Sequence, residues 1–304
     1  MTLRDMQYFC AIVQAKNITR AAAALFIAQP ALSQCVQKLE RELGTTLLLR
    51  TASGVALTAE GKCFYEFSRG TLQEQKIFQK KLDDVRNAEG GEITIGFTGT
   101  QATFVLPYFL PAFEADHPGI QICLEEATSN DIEKHLSRGT IDVGIIHPPI
   151  LNAELECFEL SRDQMVVIPR TTSSYADYIY RKNGDPISYI QAEFLKNEPI
   201  AVTQPWQRSR MITEQIFAKA GIAPKYRQVS RNISTMDALA QIDYATALIP
   251  EKQLSPALRK KGYFLLEEAQ STPFSFYVAI KKDTYVSKAA ITLLNFLKDI
   301  RNTF

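Results

Sequence analysis

Apolar residues in the first 89 positions recur at helical spacing; beyond them the pattern turns into short apolar runs separated by amphipathic stretches. Leu3, Met6, Phe9 or Cys10 and Val13 mark one helical face. Asn17 is a good N-cap for a short alanine-rich helix over 18–25. A three-residue break, Phe26-Ile27-Ala28, leads to a second helix over 29–43. Pro30 sits in its first turn, where a missing N–H costs nothing, and Gly44 follows its end. Two helices joined so tightly suggest a helix-turn-helix. Leu32, Val36, Leu39 and Leu43 form the buried stripe of the second helix; Pro30, Ser33, Gln34, Gln37 and Arg41 fall opposite. Glutamine amides pair with adenine and serine hydroxyls with several bases, so this face suits base edges, although any solvated helix face is also polar.

From 58 to 88 runs one long helical stretch. Phe64, Phe67, Thr71, Gln75, Phe78, Leu82 and Val85 are spaced 3, 4, 4, 3, 4 and 3 apart, close to a heptad seam that Thr71 and Gln75 interrupt. A lone helix of about 30 residues with one apolar stripe is marginal in water, so pairing with a second copy is expected. Asn87 to Gly91 is a composition break and the expected domain boundary. Strands then alternate with helices. Strands are expected at 93–97, 120–125, 143–146, 164–168, 200–202, 226–229, 245–249 and 276–280. Helices are expected at 102–116, 130–138, 209–220, 234–241 and 286–302, with a less regular stretch from 169 to 198. This rhythm implies doubly wound α/β lobes with ligands at the C-terminal ends of strands.

At 304 residues the chain has room for about two domains. Its 46% hydrophobic and 22% charged residues exclude disorder and collagen-like structure. No apolar run approaches the roughly 18–20 residues that span a bilayer. The opening Met1-Thr2-Leu3-Arg4-Asp5 lacks the character of an export leader, which favours a cytoplasmic protein. Five widely spaced cysteines, Cys10, Cys35, Cys63, Cys123 and Cys157, without C-x-x-C read as buried thiols in a reducing compartment; no metal or cofactor is expected. Net charge is +1. Residues 1–89 hold 12 Lys and Arg against 9 Asp and Glu, and residues 90–304 hold 22 against 24, an asymmetry too mild to name a partner.

The run "ITRAAAALFIAQPALSQCVQKLERELGTTLLLRTASGVALTAEGK" closely resembles the LysR-type transcriptional regulators, and "LPYFLPAFEADHPGI", "GTIDVGII" and "ATALIPE" agree with it further along. The resemblance implies an α/β chain in three parts. These are a winged helix-turn-helix over 1–57, a dimerising linker helix over 58–90, and a two-lobed effector domain over 91–304 like a periplasmic binding protein. Lobe I takes 91–161 and 269–304, lobe II 162–268. The implied partners are double-stranded DNA, a small-molecule effector in the interlobe cleft and further copies of the chain. Such proteins are typically homotetramers that bind DNA in all states and change its bending when the effector binds.

Carried over residue by residue, Gln29, Pro30, Ser33, Gln34 and Gln37 would enter the major groove. Thr19, Arg20 and Lys38 would reach phosphates, and Arg50 opens the wing. Three positions depart from the family. Ala28 stands where a serine is usual, which loses a side-chain cap worth about 1 kcal/mol. Gln34 replaces an arginine, and the wing reads Ser53-Gly54-Val55-Ala56 where relatives often carry arginines. Fewer cations release fewer counterions, so weaker and less salt-dependent DNA binding is expected than in a wing-arginine relative.

In the implied effector domain, Thr98, Thr100 and Gln101 follow the first strand at a helix start, and Thr128 and Ser129 follow the second, a geometry suited to an anion or carboxylate. His147 closes "DVGIIH", where some relatives place a basic ligand contact. Thr203 and Gln204 follow a lobe II strand, with Trp206 and Arg231 as weaker candidates. The Tyr-rich stretch over 170–197 is extra; a cleft wall, a subunit interface and a surface insertion are all open to it. Asp243 and Ala245 replace two family glycines, a change able to reshape the cleft wall or hinge.

An enzyme is disfavoured: no G-x-S-x-G, G-x-x-x-x-G-K-S/T, H-E-x-x-H or dinucleotide fingerprint is present. A transport-type receptor would leave residues 1–89 without a purpose. A redox-sensing regulator would need two cysteines in lobe II, and Cys157 stands alone at its edge.

Overall fold

The structure is a computed structural model that describes residues 1–52, 54–86, 90–102, 104–182 and 188–301, with the side chains of Thr100 and Ala102 also outside the described set. The chain divides into two compact units, Met1–Ala88 and Glu89–Phe304.

The first unit opens with α1 (Leu3–Ala15), whose start is closed by a capping box. The Thr2 hydroxyl accepts from the Asp5 N–H at 3.2 Å while the Asp5 carboxylate accepts from the Thr2 N–H at 2.9 Å. Helix α2 (Ile18–Ala24) starts on Asn17, whose side-chain oxygen accepts from the Arg20 N–H at 3.0 Å. It ends at Phe26, in the left-handed region at φ 54°. The Phe26 and Ile27 N–H groups bond back to the Ala23 and Ala22 carbonyls at 3.2 and 3.0 Å, a Schellman closure with Phe where glycine is usual. Helix α3 (Gln29–Leu43) follows; its N-cap, Ala28, makes no side-chain hydrogen bond, and it stops at Gly44 with φ 67°.

The wing is the antiparallel pair β1 (Leu48–Thr51) and β2 (Gly54–Leu57). Gly54, at φ 135°, is required there: an added Cβ would lie 2.1 Å from the Lys16 carbonyl oxygen, which accepts the Val55 N–H at 3.0 Å. Ser53 lies outside the described residues. Phe9, Ile12, Leu32, Leu39 and Leu47 are almost fully buried, each worth about 1.5–3 kcal/mol of transfer free energy. Helix α4 (Ala59–Arg86) joins this core through Phe64, whose ring lies 4.9 Å from that of Phe9. Further along α4 the expected seam is bare in the single chain: Phe67, Phe78 and Val85 are 52%, 59% and 84% exposed.

The second unit holds two mixed sheets. In chain order its elements are β3 (Gly91–Phe97), α5 (Gly99–Ala102), α6 (Leu106–Asp116), β4 (Ile120–Glu126), α7 (Ser129–Arg138), β5 (Val143–Ile146), β6 (Leu155–Ser161), β7 (Met165–Ile168), β8 (Ile179–Arg181) and β9 (Ser188–Ile190). They continue with β10 (Pro199–Thr203), α8 (Arg208–Lys219), β11 (Lys225–Ser230), α9 (Ile233–Gln241), β12 (Thr246–Pro250), α10 (Pro256–Lys261), β13 (Phe264–Leu266), β14 (Phe276–Lys281) and α11 (Lys288–Asp299). One sheet has the order β4-β3-β5-β14-β6, the other β11-β10-β12-β7-β13-β9-β8. Neither sheet is wholly parallel. The chain crosses between lobes twice, and the strands nearest the crossings enter from the far side: β7 runs antiparallel to β12, and β14 antiparallel to β5 and β6. The two crossings touch, with the Phe274 N–H donating to the Asp163 carbonyl at 2.9 Å. Phe109 and Phe113 lead the core of the first lobe, and Ile216, Phe217 and Ile200 that of the second.

Four expectations need correction. The helix expected at 102–116 is two helices, because α5 closes after one turn and α6 restarts at Leu106 with Pro107 in its first turn. The irregular stretch carries β8 and β9, which extend the second sheet, while Tyr175 and Tyr178 pack on Phe194. Strands β6 and β13 differ from expectation: the two glutamates of β6 are three residues apart, out of step with a strand's two-residue period, and β13 has only three residues. Of the five thiols only Cys10 is buried; Cys63 is exposed on α4. The last residue of the expected C-terminal helix, Asn302, lies outside the described residues.

Candidate DNA-reading face and effector cleft

Because Leu32, Val36 and Leu39 face the core, the opposite side of α3 faces solvent. Gln29, Pro30, Gln34 and Gln37 are exposed there, and the Ser33 hydroxyl accepts from Gln29 Nε2 at 2.7 Å. Thr19 and Arg20 on α2 and Arg50 on β1 are exposed as well. Lys38 is half-exposed and already paired: its ammonium is tied to Asp5 at 3.0 Å and stands 3.9 Å from Glu42, so it braces α3 against α1. Partial burial alone would raise the Asp5 carboxyl, but the hydrogen bonds from Lys38 and Thr2 hold it at about 2. Sequence reasoning passed over Phe26, 95% exposed in the turn immediately before α3.

In the second unit the strand ends converge on a cavity of about 1050 Å³. Lobe I contributes Thr98 and Gly99 after β3, Thr128 and Ser129 after β4, and His147 after β5. Lobe II contributes Trp206 to Ser209 at the start of α8 and Arg231 to Ser234 at the start of α9, with Phe274 from the crossing. The N-termini of α7, α8 and α9 therefore open onto one space, each with orphan backbone N–H groups and a partial positive charge. Thr128 caps α7, accepting the Asp131 N–H at 3.2 Å, whereas the N-cap residues of α8 and α9, Gln207 and Asn232, make no side-chain cap.

Several predicted contacts lie elsewhere. Gln101 is fully buried and does not line the cavity; its side-chain oxygen accepts the Thr98 N–H at 2.9 Å and ties the first loop together. The side chain of Thr100 lies outside the described residues. Thr203 and Gln204 do not line the cavity either. The Thr203 hydroxyl is buried against that of Ser209 at 2.7 Å, and the Gln204 N–H donates to Gln207 Oε1 at 3.0 Å. The chain makes a full turn after β10 before α8 begins, so the helix start, not the strand end, faces the cavity. Neither Asp243 nor Ala245 lines the cavity; both precede β12, at the end away from it. Asp243 instead holds a left-handed turn (φ 59°), accepting from Lys261 Nζ at 2.5 Å and from the Thr171 N–H at 2.8 Å.

His147 lines the cavity but is no cation. Complete burial drives its pKa down to about 3, against the opposing pull of the Ser275 and Phe274 carbonyls. Its ring stacks on Phe274 at 3.9 Å, and Nδ1 lies 3.2 Å from the Ser275 carbonyl. A carbonyl only accepts, so the neutral ring carries its proton on Nδ1 and leaves Nε2 as a bare acceptor; Nε2 has no partner among the described residues.

Arg208 was missed. It lines the cavity, is 4% exposed, and its Nη2 donates to Glu133 Oε1 of the opposite lobe at 2.7 Å. A signal was available. Arginine in the first turn of a helix opposes the helix dipole, so the pair Arg208 and Arg210 at the start of α8 asks for negative partners. Arg210 finds Glu214 at 2.6 Å, and Arg208 reaches across the lobes.

Comparison with known proteins agrees with this layout. Residues 3–62 match the family of bacterial regulatory helix-turn-helix proteins of the lysR type, and residues 86–301 match the LysR substrate binding domain. The nitrogen assimilation regulatory protein nac of Escherichia coli is 38% identical over 254 residues, covering 83% of this chain and 79% of that protein. The Hca operon transcriptional activator HcaR of the same species is 29% identical over 253 residues, 82% of each chain. Full-length CbnR, solved in complex with its target DNA, has the same fold with a TM-score of 0.65 at 20% identity, over 99% of this chain and 100% of that one. These relatives are regulators of transcription rather than enzymes. With both of its units matched in order, the chain belongs to the LysR family of DNA-binding transcriptional regulators, with an N-terminal helix-turn-helix and a C-terminal effector-binding domain.

Proposed function

We propose that a small organic anion, bound in the cleft between the two lobes, switches how this regulator binds or bends its operator. The observation that carries this reading is the convergence of the α7, α8 and α9 N-termini on one cavity, an arrangement of N–H donors suited to a negative group. Within the proposed boundaries 1–57, 58–90 and 91–304, α3 reads bases through Gln29, Gln34 and Gln37, while Arg20 and Arg50 take phosphates. The bare seam of α4 supports a dimer through this helix, and two such dimers make the proposed tetramer. We place the protein in the cytoplasm, as five free cysteines suggest. Among the described residues no helix is long and apolar enough to cross a membrane.

The test is a fluorescence-anisotropy titration of the full chain at one fixed salt concentration. DNA from just upstream of its own gene is compared with a scrambled duplex, and the same assay then screens metabolites. A preference of about 10³-fold or more supports site-specific reading. Absence of binding to both duplexes, with Gln34 and Gln37 substitutions equally silent, contradicts it.

A further inference from the structure

We propose that Arg208 is the residue that reads a carboxylate on the effector, and that Glu133, gripping Arg208 from the opposite lobe, sets how tightly that carboxylate is held. The inference rests on the cleft being the effector site and adds to it the ligand's chemistry and the means of tuning it.

Glu133 lies on α7 of lobe I and Arg208 opens α8 of lobe II, and their side chains are 5% and 3% exposed. Glu133 is fully engaged: Oε1 takes Arg208, and Oε2 accepts the Leu151 and Asn152 N–H groups at 3.0 and 2.9 Å. Arg208 is only partly engaged. Nη2 serves Glu133 and Nη1 contacts the Met211 sulfur at 3.4 Å, while Nε is buried without a partner among the described residues. A guanidinium has five N–H donors in a rigid fork, and a buried unpaired one is costly to keep. Here the unpaired edge belongs to a residue that lines the cavity, beside the uncapped start of α8. A carboxylate in the cleft would complete both at once, with Arg208 held between two carboxylates, one on each side.

Two further features narrow the ligand. Arg208 already carries the charge of Glu133, and Arg231, the other cation on the cavity wall, faces two carboxylates there, Glu126 and Asp237, so the charge balance accommodates a monoanion better than a di- or tricarboxylate. His147 offers a bare acceptor at Nε2, which matches a hydroxyl donor on the ligand. The class that satisfies both is a small hydroxycarboxylate. Because Glu133 and the ligand's carboxylate share one guanidinium where water is excluded, they repel one another through it, and Glu133 weakens the ligand it helps to position.

Trp206 is the chain's one tryptophan and stands on the cavity wall, so its emission reports occupancy. The experiment titrates the full chain with lactate and mandelate, each against its amide, at constant ionic strength. Each carboxylate is expected to saturate at least about 10-fold below its amide, up to about 100 mM probe. Arg208→Met brings the carboxylate down to the level of the amide and leaves the amide unchanged, with Arg208→Lys in between. Glu133→Gln moves the other way and tightens the carboxylate by about 10-fold. A purely structural role for the pair would weaken carboxylate and amide together in every variant, and that outcome overturns the inference. So does equal affinity for carboxylate and amide, or silence of Trp206 toward all four probes. If specific operator binding survives such silence, the regulator reading stands while this inference falls.

Discussion

Along α3, Gln29, Pro30, Gln34 and Gln37 stand in solvent, whereas between the two lobes Glu133, His147 and Arg208 are almost wholly buried and mostly committed to partners. The two regions put polar groups to opposite use. The helix face leaves the Gln34 and Gln37 amides in solvent, as suits the proposed partner, which arrives with its own donors and acceptors. The cleft ties its groups to one another across two lobes, so a ligand there must either complete the set or disturb it. A surface of the first kind tolerates substitution in stability and pays in specificity; one of the second kind couples both.

The largest effect that sharpens this contrast is expected at the interlobe crossing. Burial of Asp163 pushes its carboxyl up to about 7 from an ordinary 3.8, against hydrogen bonds from the Gln164 and Lys252 N–H groups. The folded chain then keeps a proton that the unfolded chain releases near pH 4. The stability from this group is therefore full below about pH 4 and is lost as pH rises toward about 7. Asp163→Asn keeps the accepting oxygen and removes that loss. Thermal unfolding should show a gain of up to about 4 kcal/mol at pH 8 and almost none at pH 4. A gain independent of pH would mean that the carboxyl titrates normally.

On the helix face the order reverses. Gln37→Ala should leave melting unchanged while costing about 1–3 kcal/mol of discrimination at a single operator position, read by anisotropy against single-base variants. Uniform loss over all sequences would instead make Gln37 a backbone contact. Ala28→Ser supplies the missing cap of α3 and should raise stability by about 1 kcal/mol, measured by denaturant midpoint at constant slope. The smallest effect is at Arg50. Its replacement by Ala should lower the slope of log affinity against log salt by about 0.9 per phosphate contact, equally on specific and scrambled DNA.

How much of this was legible in the sequence follows from the same contrast. Helix α3 has the expected bounds, 29–43, because its stripe, its first-turn proline and its terminal glycine are local signals that agree. The bare seam of α4 was also visible as spacing. The cleft was legible only in outline. Reading strand ends located Thr98, Thr128, Ser129 and His147 on the cavity, but in the second lobe it favoured Thr203 and Gln204 over Trp206 and Arg231, which line the cavity, and so fell short of the turn that hands the role to Trp206 through Ser209. Gln101 looked like a donor at a helix start and is instead consumed within its own loop. The pairing of Glu133 with Arg208, 75 residues apart, has no local signature beyond an arginine misplaced against a helix dipole.

The most direct measurement is the salt dependence of operator binding, because the central claim is that uncharged glutamines on α3, not a wing rich in cations, carry recognition. Anisotropy titrations of operator and scrambled duplexes between about 50 and 200 mM salt separate the two terms. We expect a shallow slope on both duplexes, with a preference of about 10³-fold or more that persists across the range. A steep slope that removes binding to both duplexes alike, with no lasting preference, would contradict it.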